Sequence, residues 1–178
     1  MAVAKKRKKF FKIEIPVIRK ETQLQAYEEK ELEGRVIKYD LTRFLKGKSS
    51  VINLKVEIKE GLVAVPKKIQ LMPYFIRRVL RKGTNYVEDS FSTKCKDSSV
   101  RIKPFLITRR KVSRAVRKAL RNRAKEFLIE YVKDKSSEIL FEDIIKNHIQ
   151  KNLSLNLKKI YPLSFCDIRV FQVEEEKD

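Results

Sequence analysis

Residues 52–65 read Ile52-Asn53-Leu54-Lys55-Val56-Glu57-Ile58-Lys59-Glu60-Gly61-Leu62-Val63-Ala64-Val65. Four apolar residues alternate with polar ones through Ile58, the period-two pattern of a strand with one buried face. Glu60-Gly61 predicts a turn, and Leu62 to Val65 return as the partner of a hairpin. An antiparallel pair with one wet face sets the fold class, and the flanking segments are read against it.

Upstream, Leu32 to Leu41 predicts another strand around Gly34-Arg35-Val36-Ile37. Residues 19–31 are polar and mixed in charge, and two readings stand: a loop or a short helical piece. Downstream, residues 73–82 predict a short helix. Pro73 suits a first turn, Phe75, Ile76, Val79 and Leu80 form one apolar face, and Gly83 ends it. Strands follow at about Tyr86 to Cys95 and Val100 to Thr108, joined by Lys96-Asp97-Ser98-Ser99.

A long helix is predicted from Val112 to Tyr131. Its apolar positions are Val112, Ala115, Val116, Ala119, Leu120, Ala124, Phe127, Leu128 and Tyr131, near the spacing of a core-facing stripe. A second helical stretch, Phe141 to Ile160, carries a break near Asn152–Asn156. A strand from Phe165 to Val173 closes the domain. The order predicts an α+β fold. It is a single domain over 13–173 with a curled, mostly antiparallel sheet of about six strands, a long basic helix and further helices packed on it. A disordered basic arm, 1–12, precedes it, and an acidic tail, 174–178, follows.

Composition narrows the function. The chain has 178 residues, with 43 Lys plus Arg against 23 Asp plus Glu, a net charge of +20. A small domain with that charge repels itself unless a polyanion neutralises it, and nucleic acid fits best, ahead of anionic membrane. No apolar run approaches the roughly 20 residues of a spanning helix. Cys95 and Cys166 are far apart, which suits a reducing compartment and gives no disulfide framework. The single histidine, His148, has no companions at metal-binding spacing. No cofactor or metal is expected.

Charge placement says more than its total. From Arg101 through Lys125 there are eleven basic residues and no acid. The candidate RNA contacts there are Arg101, Lys103, Arg109, Arg110, Lys111, Arg114, Arg117, Lys118, Arg121 and Lys125. On the long helix the basic residues recur at three-four spacing and should share a face away from the apolar stripe. Solvated faces normally mix signs, and an unopposed stripe destabilises an isolated helix, so phosphate is the favoured occupant. A second acid-free stretch, Lys67 to Lys82, contributes Arg77, Arg78, Arg81 and Lys82. The alternative there is a helix end compensating its dipole. The arm contributes Lys5, Lys6, Arg7, Lys8 and Lys9, read as a phosphate-seeking segment against the alternatives of a nuclear-localisation signal or a solubilising tail. Arginine's planar fork grips phosphate bidentately, and the expected target is the shape of a folded RNA.

Catalytic motifs fail on inspection. Gly47-Lys48-Ser49 resembles the end of a phosphate-binding loop, but Thr42 stands where its first glycine belongs. His148 sits among Ile144, Ile145 and Ile149 as a core-margin residue. Glu142-Asp143 are placed at a helix start, compensating its dipole. Glu88 and Asp89, adjacent on a strand, point to opposite faces. No nucleophile–base pair or carboxylate cluster supports an enzyme or a small-molecule substrate.

Four stretches carry a family resemblance. They are Leu32-Glu33-Gly34-Arg35-Val36-Ile37, Arg101-Ile102-Lys103-Pro104, Arg114-Ala115-Val116-Arg117-Lys118, and Lys158-Lys159-Ile160-Tyr161-Pro162-Leu163 followed by Ile168-Arg169-Val170. In order and spacing they resemble the archaeal and eukaryotic small-subunit ribosomal protein family S-three-Ae, also written eS-one. The family's His-Gly-Met segment reads Lys68-Ile69-Gln70-Leu71 here. The resemblance implies a cytoplasmic, ribosome-bound structural protein on the small-subunit platform near the messenger exit. Its implied partners are small-subunit ribosomal RNA, neighbouring platform proteins and messenger RNA at the exit, and no membrane. Tyr161-Pro162-Leu163 is assigned to folding, since Pro162 stops the helix and its neighbours can pack the corner. The competing reading from charge alone is a DNA-packaging, nucleoid-type protein.

Overall fold

A computed structural model describes residues 7–58 and 61–174. Among the described residues nine strands form one mixed sheet, and four α-helices accompany it. Its centre is the hairpin that the alternation predicted: β4 (Ser50–Ile58) pairs β5 (Leu62–Leu71) along its whole length. Glu60, half of the predicted turn, lies outside the described residues.

The other edge of β5 is shared. Near Val63 it meets β1 (Lys9–Ile15) in a parallel pairing, and at Lys68–Gln70 it meets β9 (Leu163–Glu174). β1 pairs outward with β2 (Lys20–Ala26), and β3 (Val36–Asp40) pairs β4. Beyond β9 lies β8 (Ser99–Thr108), which carries β6 (Tyr86–Glu88) and β7 (Phe91–Lys94) one after the other. The ladder shifts register beside both prolines of the inner strands, Pro66 and Pro104. Proline has no N–H to give a ladder, so a bulge is where an inner strand tolerates it.

Nine strands replace the expected six or so for three reasons. Residues 9–12, read as part of the arm, pair with β2, because Phe11, Ile13 and Ile15 bury against the core. Residues 20–26, read as loop or helix, form an edge strand, and a 3-10 turn at Glu29–Leu32 follows. The predicted strand at 86–95 is split at Asp89-Ser90 into β6 and β7. Glu174, assigned to the acidic tail, ends β9 in an ion pair with Arg101 at 2.7 Å.

Strand pairing turns alternation into two surfaces. Across the sheet Tyr39, Ile52, Ile69, Phe171, Ile102 and Phe91 form one continuous row of partners. That row and its neighbours make the core, with Phe141 set edge-on to Phe171 at 4.9 Å. The neighbouring row, Lys38, Asn53, Lys68, Gln172, Arg101 and Ser92, points to the opposite face. A smaller core of Leu71, Ile76, Phe105 and Ile107 lies under α1 (Pro73–Val79), joined by Phe75, Val79 and Phe165. Leu80, predicted on the apolar face of this helix, is its exposed C-cap.

The long helix, α2 (Arg114–Lys133), starts at Ser113, whose hydroxyl accepts from the Val116 N–H. It buries Leu120, Ala124, Leu128 and Val132, a narrower stripe than predicted: Ala115 and Ala119 are exposed. α3 (Ser137–Ile145) and α4 (His148–Leu157) complete the apolar layer, and α4 packs on both α2 and β9. The break between them is at Asn147, in the left-handed region at φ 59, not at 152–156. Asparagine tolerates that conformation better than other non-glycine residues. Glu142 and Asp143 therefore lie at the end of α3. There Asp143 accepts from Tyr131 at 2.8 Å and from Lys135 at 2.6 Å, tying α3 to α2, and His148 lies 3.5 Å from its carboxylate. Burial alone would raise the pKa of Asp143, but the hydrogen bonds from Lys135 and Tyr131 hold it below its ordinary value. Tyr161 and Leu163 pack on the core around Pro162, as expected for a corner.

Candidate nucleic-acid interface

The candidate residues fall on four surfaces, and two of these meet. Gly83, at φ 84, turns the chain out of the α1 region. Thr84 then donates to the Arg81 carbonyl at 2.7 Å. Asn85 is clamped to the end of β8: its N–H donates to the Thr108 hydroxyl at 3.0 Å, and its carbonyl accepts the Thr108 N–H at 2.9 Å. Its side-chain oxygen accepts from the Val112 N–H at 2.8 Å, and the Thr108 hydroxyl reaches the Arg110 carbonyl at 2.7 Å. One corner thus fastens the segment carrying Arg77, Arg78, Arg81 and Lys82 to the segment carrying Arg109, Arg110 and Lys111, immediately before α2. The sequence presents these as separate acid-free stretches; the fold joins them.

From that corner the basic surface runs along α2. Arg114, Lys118, Arg121 and Lys125 share a strip, since positions three, four and seven apart stack on one side of a helix. All four are exposed. The strip flanks the buried stripe, facing β6, where the prediction set it away from that stripe. A groove of about 410 Å3 between helix and strand is lined by Tyr86, Val87, Asn122 and residues of the strip. Arg117 falls nearer the core side. It is partly buried, and its Nε is enclosed without a hydrogen-bond partner. Lys125 also sits over the Phe91 ring at 5.7 Å.

None of the basic residues of the corner or strip makes an ion pair among the described residues. Arg123, on another side of the helix, differs: it is bonded to Asn156 at 3.1 Å and paired with Glu126 at 3.3 Å. The cation on that side of α2 is matched, and those on the strip are not.

The remaining candidates lie elsewhere. Arg101 and Lys103 are on β8, facing the open side of the sheet, and Arg101 is already paired with Glu174. Arg7, Lys8 and Lys9 are exposed beside and on β1, with Lys8 over the Tyr27 ring at 5.6 Å. Lys5 and Lys6 lie outside the described residues. Lys38 and Lys68, on the open sheet face, and Arg169 were not picked out from the sequence. The signal for the two lysines was the alternation itself, whose polar phase is basic on several strands. Arg169 grips Glu88 through one nitrogen at 2.9 and 3.0 Å.

The other motifs take structural roles. The Lys48 ammonium is 2.6 Å from the Asp167 carboxylate and donates to the Asn147 side chain at 3.0 Å. The two charged side chains are only 16% and 5% exposed, so Lys48 is a buried tie and no phosphate anchor. Among the described residues no group of three or more His, Cys, Asp or Glu could hold a metal ion. No helix there is long and apolar enough to cross a membrane.

Fold and charge define a class: a single-sheet α+β domain presenting a corner and a helix strip of unmatched cations. The chain belongs to the Ribosomal S3Ae family, whose sequence profile matches residues 4–177. It is 32% identical to the small ribosomal subunit protein eS1 of Nanoarchaeum equitans over 95% of this chain and 90% of that one. It is 31% identical to the protein of the same name from Methanothermobacter thermautotrophicus over 60% and 55% of the two chains. Against that of Pyrobaculum aerophilum the identity is 28% over 76% and 62%.

Proposed function

We propose that the protein is a structural, non-catalytic constituent of the small ribosomal subunit and that it holds small-subunit ribosomal RNA on the ridge formed by the Asn85–Thr108 corner and the α2 strip. The observation that carries this is the fastening of two acid-free segments into one surface whose cations have no ion-pair partner among the described residues. Such a surface is electrostatically unfavourable until phosphates neutralise it. Backbone contacts of this kind fix position without reading sequence. Membership of a family whose relatives are named as small-subunit proteins supports the choice of ribosomal RNA as the polyanion. The finer placement is the platform near the messenger exit, in the cytoplasm, beside other platform proteins and the emerging messenger.

The test is charge reversal of Arg114, Lys118 and Arg121 to Glu, chosen because all three are exposed and the fold does not need their charge. Binding to small-subunit ribosomal RNA should weaken strongly. The log–log salt slope should flatten by about 0.7–0.9 for each phosphate no longer neutralised, so by about 2–3 units in all. Unchanged affinity in a folded variant would remove the strip from the interface.

A further inference from the structure

Where α2 passes the split between β6 and β7, the surface opens into a cleft of about 490 Å3. That lies within the roughly 300–1,000 Å3 of sites for small organic ligands. Its polar lining is Arg121 from α2, Lys103 from β8, Arg169 from β9, Glu88 from the end of β6, and Asp89 and Ser90 from the split itself, so two acids expected on opposite faces of one strand line the same cleft. Pro104 and Val170 add apolar surface. Arg121 belongs to the strip, so a backbone tracking α2 passes the mouth of this cleft.

The charges inside are specific in kind. Arg169 and Glu88 satisfy each other. That leaves two cations, Lys103 and Arg121, and one carboxylate, Asp89, which makes no ion pair among the described residues. Asp89 accepts the N–H of Ser90, at 2.9 Å, through Oδ1. A carboxylate beside a phosphate-binding strip repels backbone, so the cleft asks for a ligand bearing both phosphate and neighbouring N–H donors. A nucleotide turned out of its helix has both. Among the four bases, guanine alone sets two N–H donors side by side on its pairing edge, N1–H and N2–H, matched to a carboxylate's two oxygens.

We propose that this cleft receives a single unpaired guanine nucleotide of the bound RNA. Asp89 accepts from N1 and N2, Arg121 and Lys103 hold the flanking phosphates, and Val170 covers a face of the base above the buried Pro104. The proposal rests on the RNA-binding reading above and adds base selection to a surface that otherwise reads only backbone.

The experiment uses the full chain and a set of short RNA hairpins differing in one unpaired nucleotide: guanine, inosine, adenine, cytosine or uracil. Affinities are measured at matched salt for the wild type and for Asp89→Asn, which retains an oxygen to accept the Ser90 N–H. The wild type should prefer guanine by about tenfold over adenine, cytosine and uracil, the scale of a good bidentate contact. Inosine, lacking the N2 amino group, should fall between. Asp89→Asn should level the series, and with the repelling carboxylate gone it should bind the adenine hairpin at least as tightly as the wild type does. Equal, steeply salt-dependent binding of the whole series by the wild type would overturn the cleft and leave the RNA reading standing. A guanine preference that survives in Asp89→Asn would likewise overturn it. Failure of every hairpin to bind with salt-dependent affinity would bring down both.

Discussion

Replacing Lys48 by Met keeps an aliphatic stem and deletes one ammonium, which isolates the consequence of the buried tie. Asp167 is 5% exposed and 2.6 Å from that ammonium. After the substitution it keeps the Ile168 N–H at 2.7 Å and the Gln150 amide at 3.2 Å, but its counter-charge is gone. Removing one partner of a buried ion pair costs about 3–5 kcal/mol, and the two surviving donors place this case at the lower end, near 3 kcal/mol. For a chain of this size that lowers Tm by roughly 6–12 °C. Adding Asp167→Asn to the Lys48→Met variant removes the stranded charge and should restore most of the stability, making the two changes non-additive by about 1 kcal/mol or more. The assay is urea unfolding of the two single variants and the double variant, followed by far-ultraviolet circular dichroism. A cost under about 1 kcal/mol for Lys48→Met, the worth of an exposed pair, would refute the claim that this tie holds β9 to the α3–α4 corner.

Other consequences follow from the same geometry. Leu128→Ala, in the middle of the buried stripe of α2, should cost about 2–5 kcal/mol in denaturant unfolding without altering the exposed strip. Burial pushes the Cys166 thiol up to about 12, with the Asp167 carboxylate adding to the effect and Lys48 opposing it. The folded state thus holds that proton where the unfolded chain releases it, so between pH 9.0 and 12 stability should fall by at most about 1.4 kcal/mol per pH unit. Cys166→Ala should flatten that decline in pH-dependent unfolding. Asp143 titrates in the opposite sense: its lowered pKa means its stabilisation is full above the unfolded value of 3.8 and is lost as pH falls through the folded one. Asp143→Asn should cost stability at neutral pH and leave a shallower acid transition.

The core was legible where alternation was strong. Ile52, Leu54, Val56 and Ile58 declared β4, and Leu120, Ala124 and Leu128 declared α2. The hairpin β1–β2 was not, because an edge strand reading Lys-Glu-Thr-Gln-Leu-Gln-Ala buries little and looks like a loop. The α3–α4 break was misplaced because three asparagines compete for it, and only packing shows that Asn147 takes the left-handed turn. The basic residues of the proposed interface stand out in the sequence, but their assembly does not. Asn85 and Thr108 are 23 positions apart, and no local pattern says that their contact fastens one basic segment to the other. The same holds for Asp89, an ordinary strand-end acid until the fold sets it beside Arg121.

Whether the protein is a structural part of the small subunit is decided most directly by sedimentation of a cell lysate on a gradient, probing for this chain before and after a high-salt wash. Stable co-migration with the small-subunit peak through the wash is the expected result. Migration at the top of the gradient, or with bulk DNA, would contradict the ribosomal reading and favour a DNA-packaging role for the same charge.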